Sequence, residues 1–351
     1  MKTQTKRKLA FIDHSFHKMT RSSEFFQKIL CREYVITVFF DEGWQGGPEI
    51  NPNEINAGNF DVVLFWQAPP SAPNILRLSC ENIIWIPMYD NEQQRSCLGW
   101  RALRRLGLKV ICFSKTLYET TQRFGINSLY VQYFPKPCKQ AVTYGMPRVF
   151  LWQRVNEIGW PLVKRLLAGN KVEKIVLKAD PDPSHIFDEP GNKDVREFNI
   201  EVERDLKIAD GASNDDYLRL LSSCNVFIAP RLSEGIGLSF LEAMALGMCV
   251  VGPNRPTMNE YVSSGNTGFL FDPERRDPID LADFAGCGSR ARARAASGWT
   301  EWQASLPVIL HFIAEPTCKR RSLGSTVPFL LLWGFDRVVR KAKMLIRRWG
   351  W

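Results

Sequence analysis

The chain has 351 residues, too many for one typical hydrophobic core and enough for two domains. Its hydrophobic content of 45% and charged content of 24% are those of a soluble globular protein. No apolar run reaches the roughly 18 residues that a transmembrane helix needs, which excludes an ordinary membrane-spanning protein. The net charge of +9 is concentrated at the C-terminus, where residues 318–351 hold nine basic residues and a single acid, Asp336.

The basic start of the chain runs into Leu9–Asp13, which predicts a first β-strand rather than a signal peptide. The nine cysteines are odd in number, form no CxxC pair and lie mostly within apolar segments. This usage indicates buried thiols in a reducing compartment, and it argues against a disulfide framework or a metal site.

Strand-like and helix-like segments alternate through the first part of the chain. The predicted strands are Leu9–Asp13, Tyr34–Phe40, Asp61–Trp66, Ile83–Pro87, Leu108–Phe113 and Leu129–Gln132. The predicted helices are Ser22–Cys31, Gln94–Leu106 and Ser114–Phe124, with Ser22 and Ser114 as N-caps and Gly107 and Gly125 as stops. This alternation is typical of a parallel, doubly wound sheet.

A second alternating set follows a proline-containing segment, Tyr133–Pro147, that resembles an inter-domain linker. Its predicted strands are Arg148–Trp152, Lys174–Leu177, Asn199–Val202, Cys224–Ala229, Met248–Val251 and Gly268–Phe271. Its predicted helices are Ile158–Ala168, Asp215–Ser222, Leu238–Leu246 and Ile279–Ala296. The sequence therefore predicts an α/β fold with two doubly wound, Rossmann-like domains in tandem.

The most informative motif is the stretch 230–251, which reads PRLSEGIGLSFLEAMALGMCVV. It contains two carboxylates, Glu234 and Glu242, on either side of the turn that Gly235 and Gly237 form. A strand, a glycine turn and a helix N-terminus present free backbone N–H groups and a positive dipole end to an anion. A purely structural turn with solvated acids is the alternative interpretation of the motif alone.

Polar residues follow the other predicted strands of the same set. Arg154 follows the first strand, Lys178 and Asp180 end the next, and Asn259 and Glu260 come after Met248–Val251. Because the carboxyl ends of parallel strands share one edge, these groups and the motif converge on one crevice. A guanidinium such as Arg154 pairs with phosphate oxygens bidentately, although a surface ion pair is the simpler role for it alone.

The motif, followed by TMNEYVSSGNTGFLFDP, resembles the donor half of retaining, GT-B-fold glycosyltransferases of the large family four. That family is marked by two glutamates separated by seven residues, as Glu234 and Glu242 are. A weaker resemblance to the family extends over about residues 1–315. Within the family, the chain resembles a subgroup found among bacterial surface-polysaccharide glycosyltransferases. The resemblance implies two Rossmann-like domains facing a central cleft.

The resemblance also implies roles for residues of the motif. Glu234 would bind hydroxyls of the donor sugar, and Glu242 would bind the ribose. The N–H groups of Gly235, Ile236 and Gly237 would hold the diphosphate, and Arg154 would offset its charge as it departs. The further donor-binding candidates are Leu238, Lys178, Asn259 and Glu260.

Two features depart from the family's pattern. Gly159 stands where the family usually has a lysine, which leaves Lys164 or Lys178 as a substitute second cation, and the N-terminal glycine-rich loop is replaced by DHSFHKMTRSSEFF. Asp180 and Asp182 match a metal-binding DxD pattern only formally, as part of a proline turn. We therefore expect no metal and no cofactor beyond the nucleotide-sugar co-substrate.

Three residues of the first domain follow predicted strands and are candidates for the acceptor side. His14 and His17 would contact the acceptor or the donor sugar, with capping or surface histidines as the alternative. Asp90 in PMYDN would orient an acceptor hydroxyl as a base.

The C-terminal segment 319–349 combines an apolar stripe at helical spacing, including Trp333 and Trp349, with a basic face. This pattern favours a helix that lies in an anionic membrane interface. A helix packed on the protein is the alternative, and no nucleic-acid-recognition motif accompanies the charge.

We therefore expect an acceptor-side domain at 1–140, a nucleotide-sugar donor domain at 141–315 and a basic amphipathic tail at 316–351. The expected activity is metal-independent, retaining transfer of a sugar to a growing glycan or lipid-linked acceptor in bacterial cell-surface polysaccharide synthesis. The expected location is cytoplasmic and peripheral on the inner face of the membrane. A nucleotide-sugar epimerase of GT-B fold and a non-catalytic membrane-bound scaffold are the alternatives.

Overall fold

The protein is described here from a computed structural model. The structure describes residues 6–43, 46–68, 71–206 and 214–317, and the single residues Gly334 and Val338. Contacts group the described residues into two compact units: unit 1 holds those up to Val131 and those from Ser305 onwards, and unit 2 is Gln132–Ala304. The amphipathic segment predicted at 319–349 lies outside the described residues apart from Gly334 and Val338, so it stays a prediction.

Unit 1 is built on a six-stranded parallel sheet with the order β2-β1-β3-β4-β5-β6. Its strands are β1 (Arg7–Asp13), β2 (Tyr34–Phe40), β3 (Val62–Trp66), β4 (Ile83–Ile86), β5 (Lys109–Cys112) and β6 (Ser128–Tyr130). Its helices are α1 (His17–Thr20), α2 (Glu24–Leu30), α3 (Pro52–Ala57), α4 (Ala72–Leu76), α5 (Tyr89–Glu92), α6 (Cys97–Leu106) and α7 (Lys115–Arg123).

Unit 2 is built on a second six-stranded parallel sheet with the order β12-β11-β10-β7-β8-β9. Its strands are β7 (Arg148–Gln153), β8 (Lys174–Ala179), β9 (Ile200–Glu203), β10 (Val226–Ile228), β11 (Cys249–Pro253) and β12 (Gly268–Phe271). The helices after β7 are α8 (Trp160–Leu166), α9 (Asn192–Glu197), α10 (Asn214–Ser222), α11 (Leu238–Leu246), α12 (Met258–Tyr261) and α13 (Phe284–Ala314).

Two inner strands of each sheet are buried along their whole length because both faces are covered. Val62–Trp66 and Ile83–Ile86 are buried at every position, as are Val226–Ile228 and Cys249–Pro253. Continuous burial of this kind is expected of parallel strands between two helical layers. The predicted α/β fold with two doubly wound sheets is confirmed, and every predicted strand is present within two residues of its predicted bounds.

The predicted helix caps and stops are found with one exception. Ser114 caps α7 by accepting from the Leu117 N–H at 3.3 Å, and Gly107 ends α6 in a left-handed conformation with φ +69°. The prediction that Ser22 caps α2 is wrong, because the helix starts one residue later, after Ser23. The Ser23 hydroxyl donates to Asp13 Oδ2 at 2.6 Å instead of capping the helix.

Helix α13 is longer than the predicted Ile279–Ala296 and runs from Phe284 to Ala314, with Pro307 in its interior. The prediction therefore placed the start too early, at Ile279, and the end too early, at Ala296. A Cβ at Gly298 would lie 2.4 Å from the Phe134 ring, so this glycine allows close packing within the helix rather than ending it.

The segment 132–147 contains no helix or strand, but it packs on the rest of unit 2 and is not a free linker. Phe134 is fully buried, the Val142 N–H donates to the Leu246 carbonyl at 3.0 Å, and the Tyr144 hydroxyl donates to the Gly247 carbonyl at 2.7 Å. The predicted boundary at 140/141 therefore falls inside a packed segment. The functional assignment of an acceptor-side and a donor-side domain stays a prediction.

The cysteines of the described chain are free thiols, of which Cys112, Cys224, Cys249 and Cys287 are buried. The prediction of buried thiols does not extend to Cys31 and Cys97, which are exposed. Within the described residues, no helix combines the length and apolarity required to cross a membrane.

Candidate functional site

The carboxyl ends of neighbouring strands meet at one edge of the unit 2 sheet. β7 lies inside this sheet, with β8 and β9 on one side and β10, β11 and β12 on the other. The strand order therefore reverses between β7 and β10, and open parallel sheets bind ligands in the crevice at such a switch point. Arg154 follows β7 directly, and the motif at 230–251 follows β10.

The glycine turn between β10 and α11 leaves a row of backbone donors at this edge. Gly235, Ile236 and Gly237 are buried, and α11 begins at Leu238. The N–H groups of residues 235–238 form no hydrogen bond within the described part of the chain. Free N–H groups at the start of a nine-residue helix combine with its dipole to attract an anion.

Gly237 is required by the shape of this turn. Its φ is +79°, in the left-handed region, and a Cβ there would lie 1.9 Å from Cε1 of Phe240. A side chain at this position would therefore strain the backbone and also collide with a buried ring.

We expect Gly237→Ala to destabilise the protein by about 2–5 kcal/mol, the sum of backbone strain and overpacking. Gly265→Ala is the matched control, because Gly265 has φ +74° but nothing within 4 Å of the added Cβ. The control should be destabilised only by the backbone strain, about 1–2 kcal/mol. Melting temperatures of the two variants provide the test, and equal losses would show that Phe240 gives way.

The two glutamates of the motif lie in different environments. Glu234 is only 8% exposed, and its carbonyl accepts a hydrogen bond from the Thr257 hydroxyl at 3.3 Å. Glu242 lies in the second turn of α11 and has no hydrogen bond or ion pair to its carboxyl among the described residues. Burial raises the pKa of Glu242 to about 7, and no hydrogen bond from the described residues opposes this shift.

Tyr217 on α10 is a second under-satisfied polar group near Glu242. Its hydroxyl is buried without a hydrogen-bond partner in the described chain. Burial, with a further contribution from the Glu242 carboxylate, raises the pKa of Tyr217 well above its usual value. Because buried polar groups are normally hydrogen-bonded, Tyr217 and Glu242 form a pair of groups suited to ligand hydroxyls.

Aromatic packing connects this pair to the cations at the ends of β7 and β8. The Trp152 ring lies 5.8 Å from the Tyr217 ring, between centroids. The Arg154 guanidinium lies over the Trp152 ring at 4.9 Å and the Lys178 ammonium at 4.1 Å. Trp152 therefore fixes both cations by cation–π contact in the same part of the sheet edge as Tyr217.

These cations belong to an ion-pair cluster with two aspartates. Arg154 donates from Nε and Nη2 to Asp182 Oδ1 at 2.9 and 2.7 Å, and Arg231 donates from Nη2 to Asp182 Oδ2. Lys178 pairs with Asp180 at 2.7 Å. Burial lowers the pKa of Lys178, and the hydrogen bond to Asp180 opposes that change. The cluster holds three cations against two carboxylates.

Gly159, where the resemblance leads us to expect a lysine, lies against the Asp188 side chain. A Cβ at Gly159 would lie 1.6 Å from Asp188 Oδ2, so a larger residue there requires the Asp188 side chain to move. Lys164 pairs with Asp194 at 2.7 Å and is 46% exposed, on the helix rather than at the sheet edge. Of the two substitutes that the sequence offered, only Lys178 lies at the site.

The remaining donor-side candidates lie on α12, after β11. Asn259 is exposed and donates to the side chain of Asn254 at 3.2 Å. Glu260 is half-buried, and its carbonyl accepts from Gln132 at 3.1 Å. The structure places both beyond the carboxyl end of β11, the strand next to β10.

In unit 1, His14 and His17 follow the carboxyl end of β1, where the strand order reverses between β1 and β3. Asp13 Oδ1 accepts from the His14 N–H at 2.9 Å and lies 2.6 Å from His17 Nδ1. His14 Nε2 lies 3.1 Å from Gln67 Oε1, and the two histidine rings are 3.8 Å apart. Burial and the neighbouring His17 lower the pKa of His14, which leaves its imidazole neutral at pH 7.

Asp13, His14 and His17 also bring three metal-type ligand atoms within 4.8 Å of one another. Asp13 in this group also accepts hydrogen bonds from His17 Nδ1 and from the Ser23 hydroxyl.

Asp90 follows β4 but does not lie at its end. β4 ends at Ile86, one residue before the predicted Pro87, and Asp90 lies half-buried inside the four-residue helix α5.

Arg231, Trp152 and Tyr217 are the site residues that sequence reasoning missed. Arg231 lies within the motif itself, just past β10, and its position offered a signal, because a residue there reaches the same edge as Arg154. Nothing in the sequence distinguishes Trp152 and Tyr217 from ordinary core aromatic residues.

Comparison with known families identifies one match. A model described as "Glycosyl transferases group 1" matches residues 191–283, which contain β10, α11, β11, α12 and β12. No curated protein sequence matches the chain significantly.

Solved structures with the same fold include three that cover most of the chain. Sucrose-phosphate synthase from Thermosynechococcus elongatus is 13% identical with a TM-score of 0.60, over 87% of this chain and 98% of that one. Anabaena Alr3699/HepE in complex with UDP and glucose is 15% identical with a TM-score of 0.57, over 87% and 100%. A glycosyltransferase from Rickettsia africae is 11% identical with a TM-score of 0.55, over 88% and 98%. The chain therefore has the fold of GT-B glycosyltransferases.

Proposed function

We propose that this protein is a glycosyltransferase that moves a sugar from a nucleotide-sugar donor, with retention of the anomeric configuration, to a growing glycan or lipid-linked acceptor. One observation carries the proposal. At the switch point of the unit 2 sheet, Arg154, Lys178 and Arg231 lie at the same edge as the free N–H groups of residues 235–238 and the carboxylates Glu234 and Glu242. This set of groups matches a ligand that combines a diphosphate with hydroxyl-bearing sugars.

The chemistry of the transfer assigns a role to each group. Breaking the bond between the anomeric carbon and the phosphate oxygen places negative charge on the leaving diphosphate. The N–H groups of Gly235, Ile236, Gly237 and Leu238 and the α11 dipole stabilise that charge, together with Arg154. Lys178 and Arg231 add positive charge at the same edge.

The two glutamates would hold the sugars on either side of the diphosphate. Glu234 accepts hydrogen bonds from donor-sugar hydroxyls, and Glu242 accepts from the ribose. The Glu242 carboxyl and the Tyr217 hydroxyl have no hydrogen-bond partner among the described residues, and this supports the role because ribose hydroxyls would satisfy both. Asn259 and Glu260 complete the donor side in this proposal.

The comparisons support the same proposal. The matched family model covers the segment that carries Glu234 and Glu242. Two of the similar structures are Anabaena HepE in complex with UDP and glucose and with UDP-glucose, which makes a uridine nucleotide sugar a reasonable first donor to test here.

The transfer is proposed to be independent of metal ions. Asp180 and Asp182, the formal DxD pair, are engaged by Lys178, Arg154 and Arg231. Carboxylates that are paired with protein cations are poor ligands for a divalent metal. The same cations can offset the charge of the diphosphate.

On the acceptor side, the proposal places His14 and His17 of unit 1 in contact with the acceptor or the donor sugar, and it gives Asp90 the orienting of an acceptor hydroxyl. The tail 319–349 would bind an anionic membrane surface at the inner face of the cell membrane. A role in bacterial surface-polysaccharide synthesis would give both features a purpose, because such acceptors are often carried on lipids.

A donor screen by thermal shift tests the proposal. Ligands that bind only the native protein raise its melting temperature, by an amount that grows with concentration above Kd. We expect at least one nucleotide sugar, among those of uridine, guanosine, adenosine, cytidine and thymidine, to raise it. A complete absence of shifts at millimolar ligand would count against a donor site.

A further inference from the structure

Asp182 has an unusual position for a surface carboxylate. It lies on the irregular segment after β8, and each of its two oxygens accepts from a different arginine, Oδ1 from Arg154 and Oδ2 from Arg231. Its side chain is 17% exposed, and those of Arg154 and Arg231 are 20% and 27% exposed. One carboxylate therefore bridges two half-buried guanidinium groups.

The two arginines come from the two strands that flank the switch point. Arg154 follows β7 and Arg231 follows β10, whereas Asp182 arrives from β8 on the far side of β7. Arg154 is also fixed against the Trp152 ring, so its position does not depend on Asp182 alone. Asp182 accepts hydrogen bonds from guanidinium N–H groups. A bound anion at this edge would pair with the same N–H groups.

Main-chain hydrogen bonds hold the backbone around Asp182, so the segment does not depend on the ion pairs of the Asp182 side chain. Its N–H donates to the Arg154 carbonyl at 2.9 Å, and its carbonyl accepts from the His185 N–H at 3.0 Å. These main-chain bonds hold the segment whether or not the carboxylate is charged.

We propose that Asp182 is an internal substitute for the diphosphate: it holds Arg154 and Arg231 in place before the donor binds and yields both to the incoming phosphates. This inference rests on the proposed donor site. Asp182 is then a positioning residue that competes with the ligand. A carboxylate that only supports the arginines has the opposite effect, because its loss disorganises the phosphate site.

Replacing Asp182 with asparagine separates the two roles. The amide keeps the size and the acceptor oxygen but removes the negative charge, which raises the net charge of the five-group cluster by one. Removing one unit charge a few ångströms from a diphosphate should tighten binding about tenfold at low salt. A positioning role without competition predicts weaker binding instead.

The experiment measures Kd by isothermal titration for inorganic pyrophosphate and for UDP, with wild type, Asp182→Asn and Asp194→Asn. Asp194→Asn is the matched control, because it weakens the Asp194–Lys164 ion pair in the same unit, away from the sheet edge. We expect a lower Kd for Asp182→Asn with both probes and an unchanged Kd for the control. An equal or higher Kd for Asp182→Asn overturns the inference.

Further outcomes separate this inference from the proposed function. If wild type binds UDP and Asp182→Asn binds it no more tightly, the donor site stands and the competing role of Asp182 falls. If neither protein binds either probe, both fall. Should Asp182→Asn melt at a markedly lower temperature, Asp182→Ser is measured in its place, with the same expected decrease in Kd.

Discussion

Glu234→Gln is expected to lower turnover of the nucleotide-sugar donor by about 10²- to 10⁴-fold while the protein stays folded. Glu234 is almost fully buried beside the free N–H groups of the glycine turn. A carboxylate in that setting forms charge-assisted hydrogen bonds with sugar hydroxyls, and these are about twice as strong as neutral ones. The amide retains the shape but loses that strength at the reacting sugar.

The measurement is the rate of nucleoside diphosphate release with saturating donor. Glu201→Gln is the control, because Glu201 lies on β9 of the same sheet, is 58% exposed and pairs with Lys174. We expect the control to retain wild-type turnover. Wild-type turnover by Glu234→Gln would remove Glu234 from the site and weaken the assignment of the motif.

Glu242→Gln is expected to stabilise the protein at pH 8 and to weaken donor binding at the same time. The folded pKa of Glu242 is about 7, above the ordinary value of 4.5, because burial opposes ionisation. Wild type therefore loses stability as the pH rises from about 4.5 to 7, and glutamine avoids this loss. The gain should be about 1–3 kcal/mol at pH 8 and should vanish near pH 4.5.

Melting temperatures of wild type and Glu242→Gln at pH 4.5, 6 and 8 check the sign, and a thermal-shift titration with the best donor checks binding. A gain that is independent of pH would mean that ionisation of Glu242 is not its cause. A buried carboxylate that lowers the stability of the folded protein is typical of a ligand-binding position, because selection for binding retains it.

Much of the fold could be predicted because local and global signals agree in it. Leu238–Leu246 and Gly268–Phe271 were predicted with their observed bounds, since glycines flank or open both segments and the apolar runs between them are unbroken. The short helices of unit 1 were not predicted, because four to six residues give too little periodicity. Helix α13 begins later than the predicted Ile279 and continues past Ala296 through Gly298, where the missing Cβ leaves room for the Phe134 ring.

The candidate site divides in the same way. Arg154 and the glycine turn could be placed at one sheet edge from the alternation of strands and helices. The pairing of Asp182 with Arg154 and Arg231 could not, because it depends on β7 lying between β8 and β10, and sequence spacing does not specify strand order. The proximity of Tyr217 and Glu242 could not be predicted either, because they lie on different helices, α10 and α11, whose packing the sequence spacing does not specify.

We infer that the carboxyl edge of the unit 2 sheet binds a nucleotide sugar and that the protein transfers its glycosyl group. The most direct test incubates the protein with the donor that gives the largest thermal shift, in buffer containing EDTA, and follows the anomeric protons by NMR. We expect slow release of nucleoside diphosphate, a first-formed sugar with the donor's anomeric configuration, and loss of the reaction in Glu234→Gln. Failure of wild type to consume any nucleotide sugar, or equal consumption by Glu234→Gln, would contradict it.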